Sequence, residues 1–406
     1  MSIRRGLLAT TAGVVGSFYL VREKDYSPLC SPSESFGTKI YKFIRPILFL
    51  IDPEKAHFLT LRTFSTLAQI IPESTGNFSP YLHQQLFGIS FPSPVGLAAG
   101  FDKNAELLEF YSKNWLGNGS SEIGSVSFKS WAGNPKPRNF RVTKSEAVIN
   151  RMGLNNDGAV QVSERLKQSP KCRNISPVGV NIVKTADTSI VDDEAITDFL
   201  NSFEILTNHA SWITLNVSCP NTAEGKTFEC PEAFQNLISE IMKRKAELGV
   251  QTPVLVKLSP LPSIEASSDD IIELCQIAIS LGVDGLVLAN TASDRSDDLN
   301  LGSEVVSIGK GGVSGRPLFQ RTKRLVKEVY QATKGEVPII AVGGVSSAED
   351  AYELIKNGAS LVQLYSALVY QGPFIFHDIN RGIERLLRMD GYSNIAEARG
   401  QAVSQN

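Results

Sequence analysis

A chain of 406 residues with 42% hydrophobic side chains can bury one large core or two ordinary ones. A formal net charge of −2 without any long Lys/Arg block leaves no electrostatic footprint for nucleic acid. Five cysteines lacking a C-x-x-C pair, with only four histidines, exclude a disulfide framework and an iron–sulfur cluster, and no metal site is expected.

The chain starts differently from the way it continues. Arg4 and Arg5 precede an apolar stretch at 6–21, followed by a charged step and a Ser/Pro-rich piece through Pro32. Such a stretch can be a short anchor, a secretory core or an organelle-targeting helix. A basic, acid-free start fits a transit peptide with a transmembrane anchor, so 1–32 is expected to place the protein in the mitochondrial inner membrane on a single N-terminal anchor and to touch lipid.

From 37 to about 86 the apolar positions recur every three and four residues, as in Ile40, Phe43, Ile44, Ile47 and Leu48, then Phe58, Leu61, Phe64 and Leu67. Pro46 and the Asp52-Pro53 step are expected to cut this into at least two helices. Region 33–86 therefore reads as a small helical unit, either a lid or ordinary packing on the main core.

After Ser90 short apolar runs alternate with helix-like stretches through residue 400. The runs are 95–99, 122–127, 178–182, 212–217, 254–258, 285–289, 338–342 and 361–364. Continuous apolar runs mean strands buried on both faces, and strand–helix alternation means parallel pairing. Eight units predict an α/β fold, a closed (β/α)8 TIM barrel over 87–400. An open doubly wound sheet is the alternative, weakened because no G-x-G-x-x-G follows the first run.

In such a barrel the reactive groups follow the strands' carboxyl ends. Those positions are rich in amides, lysines and glycines and nearly lack carboxylates, which suits anionic and imide-like ligands. Gly343-Gly344 and Tyr365-Ser366, with Ser314-Gly315, offer backbone N–H groups and hydroxyls to a phosphate, so a mononucleotide cofactor fits. Lys257 stands inside an apolar run, where it can offset negative charge on a reduced flavin. In Leu215-Asn-Val-Ser-Cys-Pro-Asn-Thr222 a thiol, Cys219, lies between two carboxamides, Asn216 and Asn221; ionised, it can act as a base.

The motifs Gly96-Leu-Ala-Ala-Gly-Phe-Asp-Lys-Asn104, Gly133-Asn-Pro-Lys-Pro-Arg-Asn-Phe-Arg141 and Ile149-Asn-Arg-Met-Gly-Leu-Asn-Asn-Asp-Gly158 complete a pattern. With Gly343-Gly344 and Val362-Gln-Leu-Tyr365 they resemble the dihydroorotate dehydrogenases, and the membrane-associated, quinone-reducing class most. The resemblance implies a monomeric flavoprotein of pyrimidine biosynthesis that oxidises dihydroorotate to orotate and reduces ubiquinone. It implies FMN held by Ala98, Ala99, Gly100, Asn181, Lys257, Asn290, Ser314, Gly315, Gly343, Gly344, Tyr365 and Ser366. Substrate contacts would be Lys103, Asn150, Asn216, Asn221, Asn290 and Thr291; His57 and Arg141 match quinone-site positions, which makes 33–86 a quinone tunnel.

Cys219 stands where the quinone-linked class has serine, and the stretch at 223–230 also departs from that pattern. As a base, the thiol would take the substrate's C5 proton while hydride leaves C6. Two other readings remain open: a flavoenzyme for another dihydropyrimidine such as dihydrouracil, or for another electron acceptor; and a silent, FMN-binding interaction protein.

Overall fold

The computed structural model describes residues 34–72, 78–169, 175–218 and 227–404. The apolar stretch at 6–21, Cys219 and Asn221 lie outside those residues.

Two helices come first, α1 (Phe36–Leu48) and α2 (Pro53–Ala68). Ser35 caps α1, its hydroxyl accepting from the Thr38 amide at 3.2 Å. Asp52 caps α2, accepting from the Lys55 amide at 3.0 Å, and Pro53 supplies the preset first-turn φ. Pro46 does not cut the chain as expected; it sits inside α1, which forgoes one intrahelical bond there, and the break falls at 49–52. Helix α2 buries Leu61, Phe64, Leu67 and Ala68, with the Phe64 ring stacked on Phe110 at 4.6 Å. The outer side of α1 leaves Phe43 (84% exposed) and Ile47 bare, as is Leu50 in the turn that follows.

A short hairpin, β1 (Gln84–Leu86) and β2 (Ile89–Phe91), then leads into the barrel. The barrel strands are β3 (Val95–Leu97), β4 (Ser120–Val126), β7 (Val178–Ile182), β8 (Trp212–Asn216), β9 (Val254–Leu258), β10 (Gly285–Leu288), β12 (Ile339–Val342) and β13 (Leu361–Leu364). They pair in parallel and close in the order β10-β12-β13-β3-β4-β7-β8-β9, as the eight apolar runs predict. Each is shielded by a helix in the outer ring, so side chains on both faces are buried, each large apolar one worth roughly 1.5–3 kcal/mol.

Trp212 fills the amino-terminal end of the barrel together with Leu255, Val287, Ile340 and Leu361, and the hairpin's Phe91 closes that end. Gly179 makes room for the indole: a Cβ there would lie 1.9 Å from Trp212. The plugged end leaves the opposite, carboxyl-terminal end as the mouth. Over it lies a three-stranded antiparallel sheet, β11-β6-β5, formed by β5 (Asn139–Val142), β6 (Ala147–Asn150) and β11 (Gly312–Gly315). Among the described residues no helix is long and apolar enough to cross a membrane.

Candidate active site

The strand ends bring the expected residues to one face of the barrel. Ala98-Ala99-Gly100 follow β3, Asn181 lies in β7, Asn216 ends β8 and Lys257 sits in β9. Asn290-Thr291 come just after β10, Gly343-Gly344 after β12 and Tyr365-Ser366 after β13, while β6 and β11 add Asn150 and Ser314.

Two adjoining cavities result. The central cleft encloses ≈ 750 Å³; Lys103, Asn150, Asn290 and Thr291 line it, as do Ala98, Ala99, Gly100, Lys257 and His57. The second, ≈ 450 Å³, is lined by Gly315, Gly344, Ser346 and Ser366 and shares Ser314, Gly343 and Tyr365 with the first. Gly343 and Gly344 have φ of 137° and 79°, and a Cβ on Gly344 would come within 2.3 Å of the Phe319 backbone nitrogen, so the loop packs as only glycine allows. The Ser314 and Ser366 hydroxyls face each other at 2.9 Å. Gln363 Oε1, beside the second cavity, is buried without a hydrogen-bond partner among the described residues. Hydroxyls and glycine backbone in a cleft next to an amide-lined one fit a mononucleotide such as FMN.

The amides are held before any ligand arrives. Asn290 Nδ2 donates to Asn216 Oδ1 at 3.2 Å, and Asn216 Nδ2 donates to Ser125 Oγ at 2.9 Å. The Ser125 hydroxyl donates to Asn181 Oδ1, and Asn181 Nδ2 donates to Glu122 Oε1 at 2.8 Å. Asn181 is thus fully buried and supports the wall, and Asn216 also borders a separate cavity beside β8. Ser218 ties this set to β9, its hydroxyl donating to the Lys257 carbonyl at 3.1 Å.

The segment after Thr291 is pinned by Arg321, which is almost wholly buried and donates from Nη1 to Asp294 at 2.9 Å and from Nε to Asp298 at 2.6 Å. The turn bearing Lys103 is fixed by Asp102, whose carboxylate accepts from the Glu106 and Leu107 amides at 2.9 and 3.0 Å. Burial pushes the Asp102 carboxyl up to about 6 against those stabilising hydrogen bonds. Glu122, Ser125, Ser218, Gln363, Asp102 and Arg321 did not stand out in the sequence. A signal existed for Glu122 and Gln363, polar side chains in runs otherwise apolar and buried on both faces.

The lid reaches the cleft through rings. His57 of α2 packs edge-on against Phe101 at 5.2 Å, and Phe101 against Tyr365 at 5.9 Å. Burial, then the nearby Lys103 charge, lowers the His57 imidazole to about 4, and burial raises the Tyr365 phenol to about 12. Arg141 lies elsewhere, in a groove with Phe49, Leu50 and Ile51, where it donates to the carbonyls of Phe49 and Ile51 at 3.1 and 2.9 Å. It therefore closes the end of α1, and His57 and Arg141 border different cavities. Burial lowers the Arg141 guanidinium from its usual value.

The family model for dihydroorotate dehydrogenase matches residues 81–387. A dihydroorotate dehydrogenase (quinone) of Natronomonas pharaonis is 39% identical over 366 residues, covering 89% of this chain and 99% of the relative. The protein of that name from Roseiflexus sp. is 36% identical over 373 residues, covering 90% and 99%. Among solved structures, the Eimeria tenella enzyme in complex with ferulenol superposes with a TM-score of 0.79 at 31% identity, covering 86% of this chain and 96% of that one. These curated relatives are archaeal and bacterial and have no mitochondria, and no described helix can cross a membrane; the expected mitochondrial inner-membrane location on an N-terminal anchor is accordingly withdrawn, with its transit peptide. The matched span, the identities and the shared barrel agree with the geometry of the mouth: this chain belongs to the dihydroorotate dehydrogenase family of the quinone type, whose cofactor is FMN.

Proposed function

We propose that this chain oxidises dihydroorotate to orotate and delivers the electrons to a quinone, within pyrimidine biosynthesis. The observation that carries the reading is the single cleft in which Lys103, Asn150, Asn290 and Thr291 meet Lys257 beside the glycine–serine cavity. A cation for the substrate carboxylate and amides for an imide edge are what a dihydropyrimidine carboxylate requires.

FMN, when bound, supplies the hydride acceptor for C6 of the substrate and the store from which a quinone draws two electrons. Ala98, Ala99, Gly100, Ser314, Gly315, Gly343, Gly344, Tyr365 and Ser366 would hold it, with Asn181 and Asn290 in support. Lys257 keeps a positive charge at the cleft, offsetting negative charge gained there during turnover. Cys219, three residues beyond Asn216, takes the C5 proton as thiolate; the C5–H electron pair becomes the ring double bond while the C6–H pair departs with the hydride. Asn216 and Asn221, with Asn150, Asn290 and Thr291, hold the ring in register for that step.

The quinone approaches from the helices of 33–86 along the His57–Phe101–Tyr365 rings, where a neutral imidazole and aromatic faces suit an apolar reactant. Arg141 supports this path by fixing the end of α1. The catalytic unit proper is the barrel of 87–400.

The test is anaerobic addition of dihydroorotate to the yellow protein, then of a short-chain ubiquinone. Bleaching of the visible flavin band, with recovery on quinone, is the expected result. Bleaching by dihydrouracil alone, or by neither, would overturn the substrate assignment.

A further inference from the structure

We infer that Glu122, buried in β4 and outside the cleft, is a positioning residue that sets which way the substrate-side amides face. The inference rests on the proposed dihydroorotate site. Glu122 is 1% exposed inside the barrel and accepts from two amides, Asn181 Nδ2 at 2.8 Å and Gln363 Nε2 at 3.0 Å. A carboxylate offers only acceptors, so both neighbours must turn their N–H toward it and their oxygens away.

The consequence runs to the cleft one link at a time. Asn181 Oδ1, turned away from Glu122, accepts the Ser125 hydroxyl proton, which frees the Ser125 lone pairs to accept from Asn216 Nδ2. Asn216 Oδ1 then accepts from Asn290 Nδ2, and Asn290 is the member that lines the central cleft. Every donor along Asn290, Asn216, Ser125 and Asn181 points the same way, and the series ends on Glu122. An amide that turned round anywhere along it would set two donors or two acceptors against each other in a buried place, which such networks tolerate poorly. The carboxylate at the far end thereby sets the sense of Asn181, Ser125 and Asn216, and at Asn290 it acts together with the Ser218 carbonyl, which accepts from Nδ2 at 2.9 Å, and the Thr291 amide, which donates to Oδ1 at 2.9 Å.

Gln363 has the spare freedom. Its Nε2 is taken by Glu122 while its Oε1, buried beside the smaller cavity, has no partner among the described residues. In Glu122→Gln the new amide can keep an oxygen toward Asn181 and turn its N–H toward Gln363, which flips to receive it. The series to Asn290 survives in that variant. In Glu122→Leu it loses its end, and in Ser125→Ala it is cut in the middle with little loss of volume.

Steady-state kinetics on the FMN-loaded enzyme separates these cases. Ser125→Ala and Glu122→Leu should raise the KM for dihydroorotate by about tenfold, one misplaced hydrogen bond's worth. Glu122→Gln should stay within about twofold of wild type, and the quinone KM should stay level in all three. Should Glu122→Leu fail to fold, Ser125→Ala still decides. Wild-type KM for dihydroorotate in Ser125→Ala, or a Glu122→Gln as impaired as Glu122→Leu, would overturn the inference alone. A wild-type flavin that dihydroorotate does not reduce would overturn the proposed function, and this inference with it.

Discussion

At the barrel mouth amides and hydroxyls are hydrogen-bonded to one another, whereas the outer side of α1 and the turn after it show bare Phe43, Ile47 and Leu50. The mouth is held from several strands at once: Asn290, Asn216, Ser125 and Asn181 belong to four different barrel units. The lid is held at a few polar points, chiefly Thr38 Oγ1 to Asp378 at 2.6 Å, Arg45 to the Tyr370 carbonyl at 2.9 Å and Arg138 to Glu54. Reactions that move a proton and a hydride need donors fixed in advance, and the mouth has that character. An apolar reactant needs only a greasy, adaptable approach, and the lid has that. If the division is real, variants in the mouth should spoil reduction of the flavin and variants in the lid its reoxidation.

The largest effect is expected at the proposed base. Cys219→Ala should lower the rate of flavin bleaching by dihydroorotate by about 10²- to 10⁴-fold while FMN content and reoxidation by quinone stay unchanged. Cys219→Ser should keep some turnover with its pH profile moved upward, because a hydroxyl is harder to ionise than a thiol. Full turnover in the alanine variant would remove the base from the mechanism.

Next is cofactor retention. Gly344→Ala puts a Cβ 2.3 Å from the Phe319 nitrogen at a φ of 79°, so the loop must move. Strain of about 1–3 kcal/mol predicts FMN held roughly tenfold to a hundredfold more weakly, read as flavin per protein after gel filtration. An unchanged ratio would mean that the smaller cavity does not hold the phosphate end.

A smaller effect should appear at the lid. Glu54 is buried, and although burial opposes ionisation, hydrogen bonds from Arg138 and Lys136 outweigh it and keep its carboxyl below the usual range. Arg138→Leu leaves that charge with only the exposed Lys136 at 3.3 Å, and breaking such a pair costs on the order of 3 kcal/mol. Quinone reoxidation should slow by a few-fold with dihydroorotate bleaching intact, measured by stopped flow on each half-reaction. Equal slowing of both halves would erase the distinction between lid and mouth.

The barrel could be read directly because parallel strands covered on both faces write themselves as unbroken apolar runs, and 178–182, 254–258 and 361–364 coincide with β7, β9 and β13 residue for residue. The sheet over the mouth left no such trace. Strand β11 is Gly-Val-Ser-Gly and reads as a loop; it is a strand only because β6 pairs with it across 162 residues of sequence, Asn150 opposite Gly312. The amides and lysines of the site were legible as a polar list after the runs, but their partners were not. Glu122, Ser125 and Gln363 meet only when the barrel closes, and no spacing along the chain encodes that. Arg141 shows the reverse case: its motif suggested a quinone contact, and the fold adds a role no motif announced, Nη1 donating to the Phe49 and Ile51 carbonyls.

The finest test uses pH, because one buried group on each side titrates in opposite senses. His57 in the lid ionises at about 4 in the folded chain against an ordinary value of about 6.5, so as pH falls below 6.5 the unfolded chain takes up a proton that the folded chain refuses. Its contribution to stability is therefore present at pH 7 and is lost on acidification, by about 1–2 kcal/mol between pH 7 and pH 5. Asp102 in the mouth is pushed up to about 6, so the folded chain takes the proton first and acid favours folding through that group. His57→Phe keeps the ring against Phe101 and removes only the titration; its Tm relative to wild type should rise as the pH is lowered from 7 to 5. Asp102→Asn should do the reverse, its Tm falling relative to wild type over the same interval. Should both variants track wild type across that range, the two groups do not titrate with folding, and the contrast between a dry lid and a charged mouth would rest on hydrogen bonding alone.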